Sequence, residues 1–345
     1  MGFTPVIYGL KSTTLSEAER AFFKTVKPFG FILFARNIET PPQVKALCAD
    51  LRALTGRKDT PILIDQEGGR VARLKPPHWR KCPATGIFAD LAANGMAPAA
   101  VQATYQNARL IADDLKAVGI DVDCAPMLDL LVPGAHEIVG DRAFGKTADQ
   151  IITLGQAMAD GLRDGGVMSI IKHIPGHGRA MVDSHESLPV VDATLKELIA
   201  TDFVPFKALA EIPWAMTAHI TYTAIDNLPA TLSAKTIRVI REEIGFKGLL
   251  LTDDLSMKAL KGTFEERARD SLQAGCDILL HCNGDMAEME AIAKALPTNT
   301  PKETLARIAR GTAWLQSAKA GEWDKQAAHA ELAGLIGDEA GTYQL

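Results

Sequence analysis

Three histidines, a lysine and an aspartate crowd into residues 172–185 of this chain, as Lys172-His173-Ile174-Pro175-Gly176-His177-Gly178-Arg179 followed by Asp183-Ser184-His185. Imidazole is the side chain that exchanges its proton near neutral pH, so the chemistry this stretch suggests is proton transfer. The apolar run 167–171 reads as a buried strand. The reactive residues therefore begin where a strand leaves the core, which is where α/β enzymes place them.

Asp183 and His185 are two apart, and in an extended segment such residues point to one side, so the carboxylate can accept a hydrogen bond from the imidazole and favour its charged form. The plainer reading of an isolated D-x-H is a surface turn with a solvated histidine. At the end of the run 249–253, Asp253 and Asp254 offer a carboxylate nucleophile and a helix cap. Neighbours on a strand face opposite ways, so Asp253 is expected inward and Asp254 away. Clustered histidines also raise a metal site, but Pro175, Gly176 and Gly178 oppose a helix that would bring His173 and His177 to one face. Without H-x-H or H-E-x-x-H, a metal is not expected.

These residues need a frame. Eight short apolar runs, 6–10, 31–34, 62–66, 122–126, 167–173, 214–219, 249–253 and 278–282, alternate with amphipathic helical stretches. Among the latter are 16–26, where Ser16 and Glu19 make a capping box, and 101–118, closed by Gly119. The alternation predicts an α/β fold, a (β/α)8 TIM barrel. A doubly wound sheet competes, but Gly68-Gly69 is too brief for G-x-G-x-x-G, and there is no phosphate-binding G-x-x-x-x-G-K-[ST]. Residues after 282 read as helices, including 301–318, and are too few for a second α/β domain. One domain is expected, with the barrel over about 5–300 and C-terminal helices over 301–345. Ionisable residues then recur at strand exits: Asp65 and Glu67, Asp129, Lys172 and His173, His219, Asp253 and Asp254.

Composition narrows the class. The 345 residues are 47% apolar with mean hydropathy +0.04, enough for one large core. A formal charge of −5 and the lack of a basic block argue against nucleic acid. No long apolar segment or leader pattern is apparent, so no membrane partner and a cytoplasmic location are expected. Five scattered cysteines without C-x-x-C read as free, buried thiols.

The loop 172–185, with Leu251-Thr252-Asp253-Asp254-Leu255-Ser256-Met257, resembles the family 3 glycoside hydrolases, specifically their single-domain bacterial β-N-acetylhexosaminidases. Ile32-Leu33-Phe34-Ala35-Arg36-Asn37, Ile64-Asp65-Gln66-Glu67-Gly68-Gly69-Arg70-Val71, Arg73-Leu74 and Asp141-Arg142 with Phe144-Gly145 extend the likeness over roughly residues 6–285. The resemblance implies a retaining exo-β-N-acetylglucosaminidase without cofactor or metal. Asp253 is then the nucleophile, and His185 oriented by Asp183 the acid and base. Asp65, Arg73, Arg142, Lys172 and His173 bind the terminal sugar. Arg70 and Glu67 become a structural pair beneath the site, and His219 a mouth residue of unassigned role. Gly176 and Gly178 become hinges that let the loop close. The implied substrate is a muropeptide, GlcNAc-1,6-anhydroMurNAc with or without peptide, cleaved by a monomer during peptidoglycan recycling. Four other readings stay open: a phosphorylase using the same nucleophile, catalysis by the substrate's own acetamide with Asp253 and Asp254 as the assisting pair, a metal-dependent barrel hydrolase, and a non-catalytic sugar-binding protein.

Overall fold

Strands form where Val, Ile, Leu and Phe cluster, because such side chains fill a sheet that is covered on both faces. The computed structural model describes residues 2–132, 134, 139–182, 184, 187–297, 300–317 and 323–343. Its eight principal strands are β1 Thr4–Gly9, β2 Pro28–Leu33, β3 Ile62–Ile64, β4 Val122–Asp123, β5 Met168–Ile174, β6 Trp214–Thr217, β7 Leu249–Asp254 and β8 Ile278–His281. Each pairs in parallel with the next, and β1 closes on β8 through Val6↔Leu279 and Tyr8↔His281. The expected (β/α)8 barrel is therefore the fold. A two-residue parallel pair outside it joins Val190–Val191 to Thr221–Tyr222.

Alternation sorts the side chains into two layers. Ile7, Leu63, Val122, Ile170, Leu251 and Leu280 form one buried cluster with their counterparts on other strands, filling the barrel. Their neighbours, among them Tyr8, Ile62, Ile64, Ile171 and Leu250, pack outward against the helices. The expected strands are all present, with shifted ends. β4 is shorter than 122–126 because the chain runs into Pro126, which has no N–H to donate. β3 stops before Asp65, where the carboxylate of Asp123 instead receives the N–H of Gln66 at 2.9 Å.

Helix ends follow local chemistry. Ser16 and Glu19 cap the helix Glu17–Val26 reciprocally, and Ala97–Ala117 ends at Gly119, whose φ of +87° suits a residue without Cβ. All five cysteines are free and buried. Among the described residues no helix is long and apolar enough to cross a membrane.

The helix Lys302–Ser317 is fastened beneath the barrel by one carboxylate. Asp277, wholly buried, accepts from Arg241 (2.8 Å), the Leu250 N–H (3.0 Å), the Thr304 hydroxyl (3.0 Å) and Arg307 (2.8 Å). Removing one member of such a cluster leaves the others desolvated and unpaired. Asp277→Ala is expected to lower unfolding stability in urea by roughly 3–5 kcal/mol. A loss under 1 kcal/mol would show that the cluster is not the fastening.

Candidate active site

The exit of β3 builds the cavity floor. Asp65 and Glu67 project to one side and Gln66 to the other, as strand alternation requires. Outside, the Gln66 amide oxygen accepts from the N–H groups of Arg73 (2.7 Å) and Leu74 (3.0 Å), and its NH2 donates to the Leu74 carbonyl (3.0 Å). That clamp fixes the loop so that Arg73 reaches Asp65 at 3.0 Å. From β5, the Lys172 ammonium lies 2.8 Å from Asp65 and 2.7 Å from Glu67. Arg142 adds a bidentate bond to Glu67, at 2.8 and 2.7 Å.

Only 3% of the Lys172 and Glu67 side chains is exposed, so each charge depends on its partners. Burial pushes both carboxyls up, but the neighbouring cations outweigh it. Arg142 and Lys172 hold Glu67 down at about 2, and Lys172 with Arg73 holds Asp65 well below the usual carboxylate range. Burial would lower the lysine; the two carboxylates hold it above its ordinary value. The floor is thus ionised throughout the physiological range.

A second cluster joins the ends of β4 and β5. Asp129 accepts from the His173 ring nitrogen Nδ1 at 2.7 Å, from the His173 N–H at 3.2 Å and from the His177 N–H at 2.6 Å. Burial opposes its charge, but His173 and His177 lower it overall. Lys172 and His173 both border the cavity although they are sequence neighbours. The peptide between them is cis, and the register of β5 against β6 shifts between Ile171 and Ile174. His177 is buried and faces the Ser184 hydroxyl at 3.3 Å; burial pushes its imidazole down to about 4 despite nearby Asp129. His219 is wholly buried between the Thr231 hydroxyl (2.8 Å) and the Asp254 carbonyl (2.9 Å), with its ring also lowered by burial. It supports β7 from behind.

At the end of β7, Asp253 and Asp254 both border the cavity. The expectation that one would face away is corrected, and the register shift of β8 against β7 between Ile278 and Leu280 accompanies the change. Nor does Asp254 cap a helix. Its carboxylate accepts from the N–H groups of Ser256 and Cys282, both at 3.0 Å, and from the Ser256 hydroxyl at 2.5 Å. Asp253 accepts from the Asp254 N–H at 2.8 Å.

One further expectation changes. Glu67 pairs with Arg142 and Lys172, whereas Arg70 pairs with Asp141 at 2.9 Å, so Arg70 and Glu67 belong to different clusters. Gly176 and Gly178 are closely packed at the base of the loop. The Gly176 carbonyl accepts from Tyr222 at 2.5 Å, and a Cβ on Gly178 would lie 2.1 Å from the Leu130 carbonyl oxygen. Arg179 to Asp202 at 2.7 Å completes the clamp. Asp183 and His185 lie outside the described residues.

Asp65, Arg73, Arg142, Lys172, His173 and Asp253 all line one cavity of about 310 Å³, with Glu67, Asp129 and His177 among the residues the sequence did not assign to binding or catalysis. Ile32, Met216, Met257 and Leu280 supply apolar wall, and Phe34 lies beneath the guanidinium groups of Arg36 and Arg73 at 5.0 and 5.2 Å. The volume is at the small end for ligand pockets. Among the described residues, no group of three or more His, Cys, Asp or Glu side chains is placed to hold a metal ion.

A barrel whose C-terminal mouth holds such a small, densely hydrogen-bonding pocket beside a strand-end carboxylate has the form of an enzyme that grips one sugar ring. Residues 7–311 match the glycosyl hydrolase family 3 N terminal domain, and the chain belongs to that family. It is a β-N-acetylhexosaminidase, a glycoside hydrolase acting on a carbohydrate. It is 40% identical over 303 residues to the Beta-hexosaminidase of Alkalilimnicola ehrlichii, covering 86% of this chain and 85% of that one. The structure of NagZ from Neisseria gonorrhoeae in complex with N-trifluoroacetyl-D-glucosamine is 33% identical, with TM-score 0.85 and coverage of 97% and 98%. The same relative in complex with zinc ion gives 32%, 0.84 and the same coverage.

His177 makes stability depend on pH. Its folded pKa, about 4, is below the ordinary value near 6.5, so the unfolded chain binds the proton more readily. Stability is complete above about 6.5 and falls as pH drops toward 4, by on the order of 3 kcal/mol in all. His177→Gln should flatten that fall in urea midpoints measured from pH 7 to 4. Parallel slopes for the two proteins would rule out His177 as its source.

Proposed function

We propose that the chain is a retaining exo-β-N-acetylglucosaminidase that removes terminal GlcNAc from muropeptides, GlcNAc-1,6-anhydroMurNAc with or without peptide, as a single-domain monomer in cytoplasmic peptidoglycan recycling. The observation that carries the reading is the pairing of an ionised, sugar-sized floor with Asp253 at its edge. Asp65, Arg73, Arg142, Lys172 and His173 hold the ring through charge-assisted bonds to its hydroxyl groups. Asp253 attacks the anomeric carbon as the bond to the leaving oxygen breaks, giving a glycosyl ester. His185, oriented by Asp183, protonates the departing oxygen and then takes a proton from the water that cleaves the ester. A neutral imidazole at that second stage adds no negative charge beside the ester carbonyl.

One observation favours a different proton carrier for the same chemistry. His173 and Asp129, 2.7 Å apart at the cavity wall, are themselves a histidine–carboxylate pair.

The deciding measurement is release of 4-nitrophenol from its N-acetyl-β-glucosaminide by the wild type, Asp253→Ala, His185→Ala and His173→Gln, with and without chelator and with products identified in phosphate buffer. Losses of 10²-fold or more in kcat for Asp253→Ala and His185→Ala are expected, with an unchanged rate in chelator and free GlcNAc as product. His173→Gln should mainly raise KM. If His185→Ala keeps wild-type kcat while His173→Gln collapses, the proton carrier is His173. A rate abolished by chelator would require a metal, and a sugar phosphate product would make the enzyme a phosphorylase.

A further inference from the structure

Behind one wall of the catalytic cavity is a second hollow of about 540 Å³, also at the C-terminal face of the barrel. The short 3-10 segment Gly140–Arg142 and its neighbours form the partition. Val139 and Arg142 face the catalytic cavity; Gly140, Asp141 and Ala143 face the hollow. The Arg70–Asp141 ion pair crosses the boundary, since Arg70 borders the first space and Asp141 the second. The opposite wall is the helix Thr85–Ala93, through Ile87, Ala89, Asp90 and Ala93.

We propose that this hollow is a leaving-group subsite that receives the peptide carried by the substrate beyond the scissile bond. The inference rests on the muropeptide reading above. About 310 Å³ accommodates little beyond one sugar ring, so whatever follows that ring must lie outside the catalytic cavity. The run Leu128–Leu131 gives the direction. Asp129 belongs to the catalytic cavity, Leu130 supports Gly178 at the base of the acid-bearing loop, and Leu131 lines the hollow. A leaving group must emerge beside the residue that protonates it, and this strand exit joins the base of that loop to the hollow. The lining also suits a short peptide. Ala84, Ala89 and Ala93 leave room for small side chains, while exposed Lys146 and Asp90 offer one partner each for a carboxylate and an ammonium group.

The test compares wild type, Ala93→Trp and Lys146→Glu on three substrates: the nitrophenyl glycoside, peptide-free GlcNAc-anhydroMurNAc, and the same disaccharide bearing its peptide. Both positions are exposed, so folding should survive. The first two substrates should react within about twofold of wild type. For the peptide-bearing one, kcat/KM should fall roughly tenfold, mainly through KM, equivalent to about 1.4 kcal/mol of binding. Equal rates on the peptide-bearing substrate in all three proteins would overturn the subsite. If the wild type cleaves the nitrophenyl glycoside but neither disaccharide, the muropeptide reading fails and takes the subsite with it.

Discussion

A buried ammonium group between two buried carboxylates organises this molecule's working end. Lys172 lies within 2.8 Å of both Asp65 and Glu67, with almost no water to screen the three charges. Without the lysine, two desolvated carboxylates would repel each other and relax by taking protons; without either carboxylate, a bare ammonium would sit in the barrel mouth. The rest of the site is arranged around keeping this group in register. Gln66 clamps the Arg73 loop from outside the barrel, Arg142 closes the far side of Glu67, and the end of β5 carries the lysine itself.

The frame was legible in the sequence because it depends on local regularities. β-Branched clusters, capping boxes and terminal glycines give the same answer whichever neighbours they meet, and all eight strands stand where the apolar runs predicted. The strand-exit residues were legible for the same reason, since a parallel barrel gathers its exits at one mouth. Asp65, Lys172 and Asp253 lie far apart in the chain and line one cavity.

Pairing across strands was harder to read. Glu67 was expected with Arg70, three residues away, but it meets Arg142 and Lys172, which come from the exits of β4 and β5. The two aspartates at 253 and 254 were assigned opposite faces by a period that holds only in regular strands, and the register shift at that point breaks it. The close packing of Gly176 and Gly178 was not legible either, because it depends on Asp202 and Leu130, which come from other parts of the chain and leave little room for a Cβ. Asp129 gave a signal only as one strand-exit carboxylate among several. Its importance comes from three donors converging on it in space.

The same contacts that place the floor residues also set their charge. Asp65, Glu67 and Asp129 are held ionised by their partners, Lys172 and Arg142 are held cationic, and burial holds His177 and His219 toward the neutral form. Protonating Asp65, Glu67 or Asp129 would cost it the charge-assisted bonds that its partners now make, so the network holds together as one charge state. The barrel mouth therefore supplies charge that is fixed in place as well as in sign. His173 belongs to the same framework, since it is joined to Lys172 by a single peptide and shares Asp129 with His177. Displacing its ring would cost the bond to Asp129 and disturb the end of β5 that carries Lys172.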